Sequence, residues 1–155
     1  MVLLRYLNRF LRVRAGAKRL LVFCLALQMG IRLGLWLAPY SKIQGFAEKW
    51  ANKWIPRKTS PDPTFESRVV WAIMASSRLV PRCTCFVRAL AAQMLFRREE
   101  VQTELRVGIA KDSNGRLKGH AWLEKNGEVL IGGMEDLSQY TLLPPLEAKE
   151  SREWS

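Results

Sequence analysis

Histidine occurs once in this chain, at position 120, and cysteine three times, at 24, 83 and 85. A lone imidazole beside a C-x-C pair falls short of the ligand count of a structural zinc, so no metal site is expected. The thiols are odd in number, and Cys83 and Cys85 stand too close in sequence to bridge comfortably. A disulfide framework is therefore not expected, and a reducing, cytoplasmic setting is. Acids are scarce in one region only. Residues 1 to 58 hold 12 Lys and Arg against a single acid, Glu48, whereas residues 59 to 155 hold 13 of each sign. The net charge of +11 thus sits in the first third. There it rides on apolar helical patterns and not on a basic patch interleaved with aromatic base platforms, which argues against nucleic acid as a partner. Phosphate-cradling glycine loops, repeats and low-complexity tracts are missing too, and no cofactor is expected.

What is present suits one domain with an appendage: 155 residues, 48% hydrophobic and 25% charged, an ordinary globular composition. In residues 2 to 19, Leu3, Leu4, Leu7, Phe10 and Leu11 recur at helical spacing with Arg5, Arg9, Arg12 and Arg14 between them, a basic amphipathic helix. It runs into an apolar stretch from Leu20 to Ala38, nearly a membrane span in length but interrupted by Gln28 and Arg32. An interfacial helix, a signal peptide and a packing helix of a soluble protein compete for this stretch. Insertion would carry the cost of Arg32, about 2.5–3.5 kcal/mol near a helix centre, and no small-x-small cleavage site stands where a signal peptide would end. A shorter helical pattern from Ile43 to Trp54 precedes Pro56, and the proline-broken stretch from Arg57 to Thr64 reads as a linker. The expected organisation is a basic helical region over 1–58, a neutral domain over 59–145 and a polar tail over 146–155.

Inside the domain, Phe65, Val69, Val70, Ile73, Met74 and Leu79 predict a helix from Phe65 to Val80, with Thr64 as its cap and Pro81 closing it. A second helix starts at Thr84 or Cys85 and ends at Arg97 and Arg98, where cations suit the helix dipole. The period then changes. Leu105, Val107 and Ile109 alternate along a strand, Asp112 to Gly115 supplies a turn, Leu117 to Glu124 forms a second strand and Glu128 to Ile131 a third. Asn126-Gly127 is a two-residue hairpin signal, and pairing back from Lys125 and Glu128 predicts that His120 lies beside Gly132 and Gly133. Helices followed by an antiparallel sheet make the expected class α+β.

A thiol becomes a good nucleophile near neutral pH when a helix N-terminus or a nearby imidazole stabilises its thiolate. Cys85, in the first turn of a helix, faces orphan N–H groups and is favoured over Cys83, which serves instead if the helix starts earlier. Cys24, mid-way along an apolar helix, reads as buried filler. His120 shares a strand face with Trp122 and Glu124. A cysteine helix followed by a histidine strand is one way to bring thiol and imidazole together across a helix–sheet interface; a solvated edge histidine is the plainer alternative.

The ordered segments S-R-L-V-P-R-C-T-C-F-V-R-A-L-A, L-R-V-G-I-A-K, G-H-A-W-L-E-K-N-G-E-V-L-I-G-G and L-S-Q-Y-T-L-L-P, spread over residues 66 to 145, resemble the transglutaminase-like cysteine protease of lasso-peptide biosynthesis, the B-protein leader peptidase. The resemblance implies a transglutaminase-like, papain-like fold with Cys85 as nucleophile and His120 as base. It implies proteolytic removal of the leader from a ribosomally made precursor peptide, through an acyl-enzyme, without cofactor or metal. Some members carry an aspartate about a dozen residues after the histidine, where this chain has Gly132; Asp136 is the leading candidate for that third role and Glu135 the second, with Glu124 or a dyad that has no third residue as the alternatives. The family's leader-recognition domain is not seen here, so the resemblance implies a separate leader-recognition protein, with an ATP-dependent macrolactam cyclase as a second partner. The expected location is cytoplasmic, peripheral at the inner face of the membrane if the N-terminal helices touch lipid. A docking module with a degenerate peptidase domain and an acyl-transferring transglutaminase-like enzyme are the competing readings.

Overall fold

Residues 15–37, 64–133 and 136–144 are described in the computed structural model of the protein. The helical patterns expected over 2–14 and 43–54, most of the linker, Glu135 and the tail from Leu146 lie outside the described residues. The elements described are helices α1 (Ala15–Leu37), α2 (Phe65–Ser77) and α3 (Cys85–Arg98) and strands β1 (Glu104–Lys111), β2 (Leu117–Lys125), β3 (Glu128–Ile131) and β4 (Thr141–Leu142). The strands form one antiparallel sheet in the order β3-β2-β1-β4. The α+β class holds.

α1 packs on α2 and α3 through Cys24, Leu27, Gln28 and Ile31, all buried. These positions recur every three or four residues and so share one face; burying Leu27 and Ile31 stabilises by about 1.5–3 kcal/mol each. Gln28, the residue that breaks the apolar run, is satisfied inside the core. Its Nε2 donates to Ser76 Oγ at 2.6 Å and lies 3.2 and 3.3 Å from the carbonyl oxygens of Cys24 and Ile73, while Oε1 accepts from the Cys83 thiol at 3.4 Å. A buried amide costs little only when it is bonded in this way. Gln28 thus ties α1 to α2 and to the loop in front of α3. The helix counted in sequence with an N-terminal appendage is, over 15–37, part of the core.

α2 begins without the expected cap. Thr64 has near-helical dihedrals and makes no side-chain cap bond; its carbonyl accepts from Arg68 N instead. The helix also stops at Ser77, short of Val80, and a run of turns from Ser76 O carries the chain to Cys83. Phe65 meets Phe96 of α3 edge-on at 5.9 Å, and Glu66 pairs with Lys125 at the end of β2.

Each face of the sheet carries its own cluster. Leu105, Leu123 and Ile131, adjacent across β1, β2 and β3, belong to the cluster built with the helices. Residues of the other parity, Ala110 and Trp122, pack with Tyr140, Val129 and Leu137. The hairpin pairs Lys125 with Glu128 as expected, with Asn126 and Gly127 both left-handed. The continuous register does not hold: Glu124 faces Val129 but Leu123 faces Ile131. Leu130 is the extra residue of a bulge, which moves Gly132 one place along β2 relative to the simple pairing. β4, which no strand pattern announced, returns the chain to β1 by pairing Gly108 with Leu142 and Ile109 with Thr141.

Candidate functional site

α3 starts with Thr84 as an extended N-cap whose side chain accepts from Val87 N at 3.3 Å. Cys85 is therefore the first helical residue, and its half-buried thiol sits at the positive end of the helix dipole. The other two thiols differ. Burial alone pushes Cys24 up to about 12, so it stays protonated inside the core. Burial also raises Cys83, against the opposing pull of Arg88 and Arg32, and its S–H is engaged by Gln28. Cys83 faces inward as a structural thiol, which leaves Cys85 as the thiol of the helix terminus.

His120 Nε2 lies 2.7 Å from the Gly132 carbonyl oxygen. A carbonyl can only accept, so this bond needs the hydrogen on Nε2 and leaves the lone pair of a neutral ring on Nδ1. Among the described residues no hydrogen bond reaches Nδ1. Trp122 stacks on the ring at 5.9 Å and 19°, and Tyr140, itself 6.3 Å from Trp122, lies against it at 5.5 Å and 44°. Trp122 is itself fixed: its Nε1 donates to Glu124 Oε1 at 2.6 Å, and Glu124 Oε2 accepts from Arg106 Nε at 3.3 Å.

Gly132 is suited to its place for two reasons. Its φ is +83°, and a Cβ there would lie 2.7 Å from the Ala121 carbonyl oxygen. The left-handed turn points the Gly132 carbonyl at the imidazole, where a side-chain carboxylate was expected. Asp136 is exposed, and its Oδ1 accepts from Ser138 Oγ at 2.5 Å and Ser138 N at 3.0 Å. Those bonds, the hydroxyl's first, hold its carboxyl below the usual carboxylate value. Among the described residues no hydrogen bond joins Asp136 to His120, and Glu135 lies outside them. Glu124 acts on Trp122 and Arg106. Nor is Cys85 Sγ hydrogen-bonded to His120: the ring shares the parity of Trp122, on the sheet face whose cluster is separate from that of the helices.

A family model described as the transglutaminase-like superfamily matches residues 25–144, which spans α1 from its second half, the helix start at Cys85 and the histidine strand. The chain belongs to the transglutaminase-like superfamily. Members of this superfamily are typically cysteine-peptidase or transglutaminase-type enzymes, and the domain is of that cysteine-protease or acyltransferase kind. Comparison with the curated proteins gave no match, and neither did comparison with the solved structures. In this transglutaminase-like domain sequence reasoning placed Gly132 and Trp122 beside His120 without giving either a role toward the ring, and it passed over Tyr140. The Gly132 carbonyl carries no side-chain signal. Tyr140 lies in a quoted motif, but only the return of the chain as β4 brings its ring to His120.

Proposed function

We propose that the protein is a cysteine peptidase that removes the leader from a ribosomally made precursor peptide during lasso-peptide maturation, with Cys85 as nucleophile and His120 as base. The observation that carries this reading is the presence, within one transglutaminase-like domain, of a thiol at a capped helix start and of an imidazole whose Nε2 is committed to a carbonyl. His120 Nδ1 takes the thiol proton, and the thiolate attacks the scissile carbonyl. Orphan N–H groups of the first turn of α3 receive the oxyanion. Collapse forms a thioester and expels the amine, protonated by His120; water, deprotonated by the same ring, then releases the acid. The reading requires substrate binding to bring the Cys85 thiol to an imidazole that shares the sheet face of Trp122, a larger change than the tightening of an existing hydrogen bond. The Gly132 carbonyl fills the orienting role. A separate leader-recognition protein would present the precursor, and an ATP-dependent macrolactam cyclase would consume the trimmed peptide.

The test is incubation of precursor peptide with the protein and candidate leader-recognition partners in isotopically labelled water, read by mass spectrometry. Separate leader and core fragments, with label in the new carboxyl group and no product from Cys85→Ala, are expected. An intact precursor in every mixture would sink the peptidase reading. A product carrying an added amine in place of label would move the reaction to acyl transfer.

A further inference from the structure

α1 is apolar on two opposite faces, and only one of them has a partner among the described residues. At about 100° per residue, Cys24, Leu27, Gln28 and Ile31 point into the core. Val22, Ala26, Met29, Leu33, Trp36 and Leu37 fall on the opposite side as one stripe. Those residues are open to solvent, with Val22 57%, Leu33 56%, Leu37 76% and Trp36 80% exposed. From Val22 to Leu37 the stripe is roughly 22 Å long at about 1.5 Å per residue. Single exposed apolar residues are ordinary, but a continuous stripe of this length is an interaction surface.

We propose that this stripe docks α1 in the plane of an anionic lipid bilayer. Its chemistry selects that occupant. No polar side chain lies between Val22 and Leu37 on this face, so nothing there would fix the register of a protein partner, whereas a lipid surface requires no register. The charge beside it has one sign. α1 contains no acid, Arg19 is exposed at the N-terminal end of the stripe, and residues 1–14 add four arginines and no acid. Such a run is complementary to anionic headgroups. Trp36 stands at the other end of the stripe, and tryptophan prefers the headgroup level.

By length and composition the segment Gly16–Leu37 could cross a membrane, but its packing opposes that arrangement. Spanning would strip Cys24, Leu27 and Ile31 from α2 and α3 and take Gln28 away from Ser76 and Cys83. Lying flat keeps the core face on the domain and puts the outer face in the headgroup–acyl boundary. The inference is independent of which acyl-transfer reaction the site carries.

The experiment is flotation of the full-length protein with vesicles of phosphatidylcholine containing about one-third phosphatidylglycerol, against pure phosphatidylcholine vesicles. Wild type is expected to float with the anionic vesicles, to bind less as salt rises and to be released by alkaline carbonate. Leu33→Asp is expected to weaken binding by about tenfold or more, with an unchanged thermal midpoint because the residue lies outside the core. Failure to float with either vesicle overturns the proposal. So does wild-type binding by Leu33→Asp, which would put lipid contact elsewhere in the chain. Resistance to carbonate would show a span, and a dimer that Leu33→Asp dissociates would show that a second copy covers the stripe; either result also overturns it.

Discussion

The imidazole of His120 has three contacts, the Gly132 carbonyl and the neighbouring rings of Trp122 and Tyr140. Among the described residues, the thiol of Cys85 is positioned by the helix that begins at it. A base needs one tautomer and one ring plane, and both come from contacts that the folded sheet makes without substrate. A nucleophile needs a field and an approach path, and a helix start supplies the first without filling the second. The contrast with Cys83 runs the same way. That thiol donates into the core through Gln28, is raised by burial, and is held as a packing group is held.

The largest effects should come from breaking either half of the pair. On the proposed mechanism Cys85→Ala removes the nucleophile and should reduce leader cleavage to background, with little loss of stability because the residue is half-exposed. His120→Ala should slow turnover about 10²–10⁴-fold, since one ring serves as base and then as acid. Cys83→Ala should keep most activity. Single-turnover rates on the precursor decide the matter: a dead Cys83→Ala beside an active Cys85→Ala would exchange the roles of the two thiols.

Gly132→Ala attacks the grip on the ring without removing any side chain of the site, although its Cβ would press on Trp122 Cβ at 3.0 Å. The left-handed backbone costs a β-carbon about 1–2 kcal/mol, and that carbon would also collide with the Ala121 carbonyl at 2.7 Å. A lower thermal midpoint is expected. If the carbonyl orients His120, turnover by the folded fraction should fall by a further 10- to 100-fold, roughly the penalty of a misplaced catalytic group. A variant that is less stable but turns over normally would show that the ring needs no such acceptor.

The parts legible in the sequence were those governed by local periodicity and caps. The start of α3 at Cys85, the Asn126-Gly127 turn and the strand carrying His120 all follow from spacing and turn chemistry within a few residues. α1 was harder to read because both of its faces are apolar, and an apolar run does not say which side a protein will cover. Gln28 looked like a flaw in a membrane span until Ser76 and Cys83, about 50 residues away in sequence, supplied its partners. The bulge at Leu130 was hidden for a related reason: simple alternation continues through it, and only the pairing with β2 reveals the extra residue. Register then decided which group reached the imidazole. The sequence search was for a carboxylate, and a backbone carbonyl has no letter.

Asp136→Asn should have the smallest effect, and it sharpens the comparison most because the carboxylate is the group that sequence reasoning favoured for the ring. In the structure that carboxylate closes a turn, taking the hydroxyl and amide of Ser138, while Gln139 donates to its backbone carbonyl at 2.7 Å. Asparagine keeps an Oδ1 acceptor for the Ser138 amide, so the turn should survive. The bonds that hold the Asp136 carboxyl below its usual value come chiefly from Ser138; the lowered value is therefore explained by the turn without any contribution from an imidazolium. Turnover of Asp136→Asn is expected to stay within about twofold of wild type. A loss as large as that of Gly132→Ala, with the thermal midpoint unchanged, would mean that Asp136 reaches His120 when substrate is bound. The orienting role would then belong to a carboxylate after all.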